Sequence, residues 1–472
     1  MRRPSPLLLM GLAAALGALG LLFVLNARAP QSVVLRVPKE KESLNRELLQ
    51  RPGASVKIEG IFRKGTGAPS SLGGAWPMFR GPDGDNIAKD GVRLADAWGP
   101  GGPRILWTVD LGEGYAGPAV KDGRVYLLDY DEAERADALR CLSFADGKEI
   151  WRRSYKLDIK RNHGISRTVP ALVGRHVVSL GPKCHVLCVD ALTGDFAWGL
   201  DLPKEQGTKI PLWYAGQCPL GDGPSVVLAP GGRDLLIGVD AATGRVLWRT
   251  PNPDDWGMSH SSVVAMTLQG KRQYVYCALG GVVGVSAEAS DRGRLLWKCN
   301  AWNLSVVAPS PVAVGPDRLY VTAGYGGGGA MITVDAAFGA RIAFKTDKEV
   351  FACEQQTPIL VDGLLYTVLP ADAGPRKQEF ACLRLDGTQV WSSGREERFG
   401  LGPFLYADGK FFILDDAGTL TMAKADGKGY RRLGKAKLLS GRDAWGPLAL
   451  VGGRMLLRDL KRLACIDLAG RP

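Results

Sequence analysis

The sequence predicts an all-β fold, an eight-bladed β-propeller with four antiparallel strands per blade. Three observations predict it. A four-part pattern recurs across residues 105–468. An aromatic residue closes each copy at roughly 40- to 50-residue spacing, the span of a propeller blade. Glycine is frequent, at 62 of 472 residues, and much of it sits in short turns between β-branched or aromatic runs.

Each part of the pattern has a physical reason. A repeat opens on a small or polar residue followed by proline: Gly117-Pro118, Val169-Pro170, Cys218-Pro219, Ser310-Pro311, Thr357-Pro358, Gly402-Pro403 and Gly446-Pro447. Ser261-Ser262 fills the remaining place. Proline suits the first residue of a strand, where the ladder needs no donor. A tight turn follows, as in Asp122-Gly123, Asp362-Gly363 and Asp408-Gly409, because Asx-Gly supplies the positive φ of a hairpin. The third strand runs into a Val-Asp-Ala-x-Thr-Gly turn at residues 189–194 and 239–244. The fourth ends in an aromatic: Trp151, Trp198, Trp248, Trp297, Phe344 and Trp391, with Tyr430 in the seventh repeat. The last repeat holds only three strands. Its fourth is expected from residues 105–109, which makes Trp107 the eighth aromatic. Such closure leaves no free sheet edge and ties the two ends of the ring together.

Ahead of the repeats, Arg2 and Arg3 precede an apolar run over residues 7–25, as long as the shortest membrane-spanning helices. Ala27-Arg28-Ala29 has the form of a cleavage site, but Pro30 would obstruct the peptidase. The expectation is therefore an uncleaved signal anchor over 1–27, single-pass in the inner membrane, with the propeller in the periplasm. Residues 28–74 read as a flexible tether with a short helix near 41–49, residues 75–104 as an N-terminal extension, and 105–468 as the propeller.

The net charge of +12 is scattered, which describes a solvated surface and gives no reason to expect a nucleic-acid partner. Cys141, Cys188, Cys382 and Cys465 share one repeat position, where other blades carry Gly238 or Met422. They read as small side chains packed between blades. Cys184-His185 with Cys188 imitates a metal motif, but alternation along a strand turns His185 away from both thiols. The glycines from Gly324 on imitate a nucleotide loop, yet a strand follows where a helix is required, so they read as a loose hairpin.

The recurring Asp-Ala-x-x-Gly-x-x-x-Trp segment resembles the tryptophan-docking motif of pyrroloquinoline quinone dehydrogenases. The resemblance spans about residues 105–468 and implies that Trp107, Trp151, Trp198, Trp248, Trp297 and Trp391 each wedge against the next blade. Trp76-Pro77-Met78-Phe79-Arg80-Gly81-Pro82 resembles the lead-in of exported quinoprotein-like propellers of planctomycete-type bacteria. The barrel-assembly lipoprotein of outer membranes shares this fold, so fold leaves function open. The dehydrogenases carry a vicinal Cys-Cys disulfide over their quinone and acid and amide ligands for calcium. This chain has no adjacent cysteines, no Cys-x-x-Cys-His and no motif that matches the calcium ligands.

One constellation remains. The loops before the opening strands are expected on one face, around the axis. They bring His163, Arg167, Trp213, Gln217, Trp256, His260, Trp302, Glu354, Gln355 and Trp445 toward a candidate ligand or partner site. Aromatic and polar groups converging on a concavity describe a pocket; they equally describe a plug in the funnel. The expected function is a non-catalytic envelope binding or scaffold propeller that binds an envelope protein or small ligand as a monomer, with no catalytic residue, metal or cofactor. The alternatives are a quinone-dependent alcohol or sugar dehydrogenase, using pyrroloquinoline quinone with calcium, and a barrel-assembly component.

Overall fold

The computed structural model describes residues 56–160 and 164–470. The apolar run at 7–25, the helix expected near 41–49 and His163 lie outside them. Among the described residues no helix is long and apolar enough to cross a membrane.

Eight antiparallel sheets follow one another along the chain. In the first seven, the opening strand of the repeat is followed outward by three more strands in sequence order. Blade 2 shows the plan: Ala171–Val173, His176–Leu180, His185–Asp190 and Phe196–Asp201. Blade 8 takes its first three strands from Ala449–Val451, Arg454–Arg458 and Arg462–Asp467, and its outer strand from Arg104–Asp110. Trp107 stands opposite Cys465 in that pairing. The closure expected from the sequence is therefore present.

Two contacts bind blade to blade. At the periphery, the outer aromatics Trp107, Trp151, Trp198, Trp248 and Phe344 each lie over the turn glycine of the next blade. A Cβ on Gly147, Gly194 or Gly244 would sit 2.6, 2.8 or 2.7 Å from the rings of Trp107, Trp151 or Trp198. These turns need glycine both for that close approach and for a φ of 73–75°. The Trp107 and Trp198 indole N–H groups donate to Phe144 O (3.1 Å) and Ala241 O (2.9 Å) of the following blade. Cys141, Cys188, Cys382 and Cys465 each pair across the ladder with the blade's own outer Trp. All nine cysteines are buried and free, as small apolar packing groups are. Cys184 departs from the strand expected of it. It sits in a turn at φ 64°, while His185 begins the strand and meets Tyr155 edge-on at 5.7 Å.

Around the axis runs a second set. The N–H of Val169 donates to Cys218 Sγ (3.2 Å), that of Cys218 to Ser262 Oγ (2.9 Å), that of Ser262 to Ser310 Oγ (3.2 Å) and that of Ser310 to Thr357 Oγ1 (2.9 Å). The side chain that opens each of blades 3 to 6 thus satisfies the backbone of the blade before it.

The tether reading is corrected by the described part of residues 28–74. Ile61–Lys64 adds an outer strand to blade 1 against Glu149–Lys156, and Ile58 is buried between blades 1 and 2. The extension after it enters the channel. Ala75–Trp76 pairs with the inner strand of blade 1, and Ile87–Ala88 runs parallel to the inner strand of blade 7. Between them Pro77 O accepts from Leu172 N of blade 2 (2.8 Å), Arg80 reaches Pro358 O of blade 6 (3.2 Å) and Asn86 Nδ2 donates to Phe404 O. Residues 75–88 form a strap across the inside of the ring.

Removal of the closing strand is expected to be costly. A chain lacking residues 105–111 loses the Trp107 side chain, about 3–5 kcal/mol for a large buried aromatic, and exposes the edge of Arg462–Asp467 while keeping the strap. Denaturant melts should show at least that loss; equal stability would reject the closure.

Candidate functional site

The loops that precede the opening strands do converge at the axis, where they form a cup of ≈ 120 Å³. Of the residues expected there, Arg167, Trp213, His260, Glu354, Gln355 and Trp445 line it. Three do not. Gln217 is 0% exposed and spends its amide on Ala229 O (3.0 Å) and Ala229 N (2.8 Å). Trp256 is 7% exposed and packs between blades 3 and 4, beside Gly280 and Gly281, whose missing side chains make room for its ring. Trp302 is 3% exposed in the core between blades 4 and 5. Being near an opening strand puts a loop on the axial face, but the packing space between blades decides which way its side chain turns.

The cup has two walls. On one, Trp213 stacks on His260 (centroids 5.9 Å apart, 28°) and on Tyr325 (5.7 Å, 28°). On the other, Tyr115 lies 5.1 Å from Trp445, and the Arg167 guanidinium sits 5.3 Å from the centre of the Tyr115 ring, a cation–π distance. Trp445 is oriented by its indole N–H, which donates to Asp416 Oδ1 at 2.6 Å. Phe79 of the strap also lines the cup. Tyr325 and Phe79 were missed from sequence. Tyr325 belongs to the glycine hairpin, read as loose, where a φ of 54° turns its ring toward Trp213. Phe79 lay in a recognised lead-in whose destination no local pattern shows.

Burial sets the charges. It pushes His260 down to about 3, helped by Arg167, so the imidazole is neutral. It lowers Arg167 to about 10, which leaves the guanidinium charged. It raises Glu354 to about 7, and Asp372 and Asp416 add to the rise, against the N–H of Ala371, which donates to Glu354 Oε2 at 3.0 Å. The cup therefore offers one cation, one carboxyl that is protonated through much of the acid range, and aromatic walls.

The comparisons agree with this architecture. The PQQ_2 family model, described as outer membrane protein assembly factor BamB, matches residues 135–386, more than half of the chain. The chain belongs to that family. No curated protein matches it. Among solved structures, this PQQ_2 propeller is similar to quinohemoprotein alcohol dehydrogenase ADHIIG from Pseudomonas putida HK5, at 15% identity, TM-score 0.56, and 84% and 81% coverage of the two chains. It is similar to BamB from Moraxella catarrhalis at 12% identity, TM-score 0.51, and 77% and 99% coverage. A europium-containing methanol dehydrogenase matches at 13% identity, TM-score 0.56, and 83% and 89% coverage. At these identities the likeness establishes the shared fold and leaves the activity open.

A pH dependence follows from Glu354. Its folded value, about 7, lies above its ordinary 4.5. The protonated fold is thus favoured at low pH, and that contribution is lost as pH rises through about 7. Glu354→Gln is permanently neutral. Denaturant midpoints of wild type should fall relative to those of Glu354→Gln between about pH 4.5 and 7; a constant difference across that window would refute the assignment.

Proposed function

We propose that this chain is a non-catalytic binding propeller of the cell envelope, and that the axial cup receives one side chain of a protein partner. The observation that carries the proposal is the size and chemistry of the cup. At ≈ 120 Å³ it is below the roughly 300–1,000 Å³ of small-molecule sites, but it suits a single inserted side chain of the kind that dominates protein interfaces. Aromatic walls supply contact area at low entropic cost, and Arg167 and Glu354 supply orientation.

The residues of the cup do not fit a calcium-bound quinone. Glu354 is the one carboxylate among those lining it, and among the described residues no group of three or more His, Cys, Asp and Glu side chains is placed to hold a metal. The cysteines that could cover such a ring are never adjacent. We therefore assign no calcium-bound quinone to the cup. The similarity to BamB supports a role among envelope proteins, and the apolar run at 7–25 supports tethering to the inner membrane with the ring in the periplasm.

Two experiments test this reading. Full chain mixed with pyrroloquinoline quinone and calcium, then assayed with an artificial electron acceptor on a panel of alcohols and aldoses, should show no turnover; substantial turnover overturns the proposal. On fractionation the protein should pellet with inner membranes and retain its N-terminus. A soluble mature form starting near Arg28 or Pro30 would remove the anchor.

A further inference from the structure

Behind the strap lies a second and larger space. A cavity of ≈ 350 Å³ lies between the strap and the inner strands of blades 3 and 4. Phe79 and Cys218 line both this cavity and the axial cup, so the strap divides one channel into two compartments. The volume falls within the roughly 300–1,000 Å³ of small-molecule sites.

Its lining is two-sided. Met78, Phe79 and Met266 give it an apolar wall, and Ser262, Ser310 and Thr267 give it hydroxyls. Two arginines and two carboxylates, Asp83 and Asp222, complete it; Asp83 is held by Lys89 at 2.6 Å, and the situations of the arginines differ. Arg272 is neutralised by a bidentate pair with Asp222, both contacts at 2.8 Å. Arg80 is 5% exposed and meets only main-chain oxygens, those of Asp85 and Pro358, each at 3.2 Å. Its Nε has no hydrogen-bond partner. The Asp85 carboxylate, whose field it feels, is held by Lys89 at 2.6 Å. A buried guanidinium with no carboxylate in direct contact is costly, and it carries five donors in a fixed fork suited to an oxyanion.

We infer that the cavity between the strap and blades 3 and 4 is a binding site for a small organic anion, whose carboxylate or phosphate head is received by Arg80 and whose compact apolar body lies against Met78, Phe79 and Met266. The site is separate from the axial cup and is made only when residues 75–88 occupy the channel.

Benzoate and phenyl phosphate serve as probes of the two head groups, with benzamide and benzyl alcohol as neutral counterparts, in calorimetric titrations of the full chain. At least one anion should bind, and its neutral counterpart should bind about tenfold or more weakly, the value of a charged hydrogen bond. Arg80→Gln should lose binding by a similar factor, Arg80→Lys should keep the preference for the anion, and Arg167→Gln in the axial cup should bind as wild type does. Which anion binds better identifies the head group. Equal binding of charged and neutral probes, full binding by Arg80→Gln, loss of binding in Arg167→Gln, or no binding of either anion at about 10 mM would each overturn the inference. The comparison of charged with neutral probes uses wild type alone and decides even where a variant fails to fold.

Discussion

Everything at the centre of this molecule depends on the belt of hydrogen bonds from Val169 through Cys218, Ser262 and Ser310 to Thr357. An inner strand of a propeller has one edge without a neighbour, and its first N–H would face the channel unpaired. Here the side chain that opens the next blade accepts that N–H. The belt runs from blade 2 to blade 6 and stops where glycine opens a blade, at Gly402, Gly446 and Gly117. A side chain could not enter at Gly117, where a Cβ would lie 2.8 Å from Pro447. Other devices take over there. Arg458 of blade 8 donates to Ala116 O (3.1 Å) and Gly112 O (3.2 Å) beside blade 1. The strap adds strands to the inner edges of blades 1 and 7. The strap takes blades 1 and 7, which the belt leaves, and also bonds to the belt blades 2 and 6 through Pro77 and Arg80.

That division of labour places both cavities. Because the strap pairs with blades 1 and 7, it crosses the channel beside them and leaves space against blades 3 and 4. Phe79 then becomes a partition with the axial cup on one side and the larger cavity on the other. A channel that would otherwise run along the axis is turned into two separate concavities of different chemistry: one walled by stacked rings, the other built around a buried arginine.

The ring was legible in the sequence because its determinants are local and repeated. An opening proline, an Asx-Gly turn and a closing aromatic each act within a few residues, and their recurrence over eight repeats, with few substitutions, makes the pattern plain. Even the closing strand was legible, since the segment around Trp107 has the form of an outer strand and the last repeat lacks a fourth strand. The cup was half legible. Arg167, Trp213, His260, Glu354, Gln355 and Trp445 reach it, whereas Trp256 and Trp302 turn into the core. Trp256 does so because Gly280 and Gly281, more than twenty residues away, leave a slot its ring can fill. Nothing within its own loop encodes that. The path of residues 75–88 was hidden for the same reason: its partners, from Leu172 to Phe404, are distant and are brought together only when the ring closes.

Two arginines sharpen the distinction between structure and site. Arg458 and Arg80 are both buried and both pushed down to about 10, chiefly by desolvation. Arg458 directs its three nitrogens at four main-chain oxygens, those of Asp459, Ala116, Gly112 and Leu460, and no cavity adjoins it among those described at the axis. Its charge is dispersed over carbonyl dipoles at the seam between the last and first blades, which is what a staple requires. Arg80 has two such oxygens, an unpartnered Nε and a cavity beside it. If the strap needed only to stay in the channel, Trp76, Ile87 and the strand pairings on either side would suffice, and an apolar residue at position 80 would avoid the desolvation cost. A cation held at the axis with spare donors is an unfavourable arrangement for the empty fold and a favourable one for a fold that receives an anion.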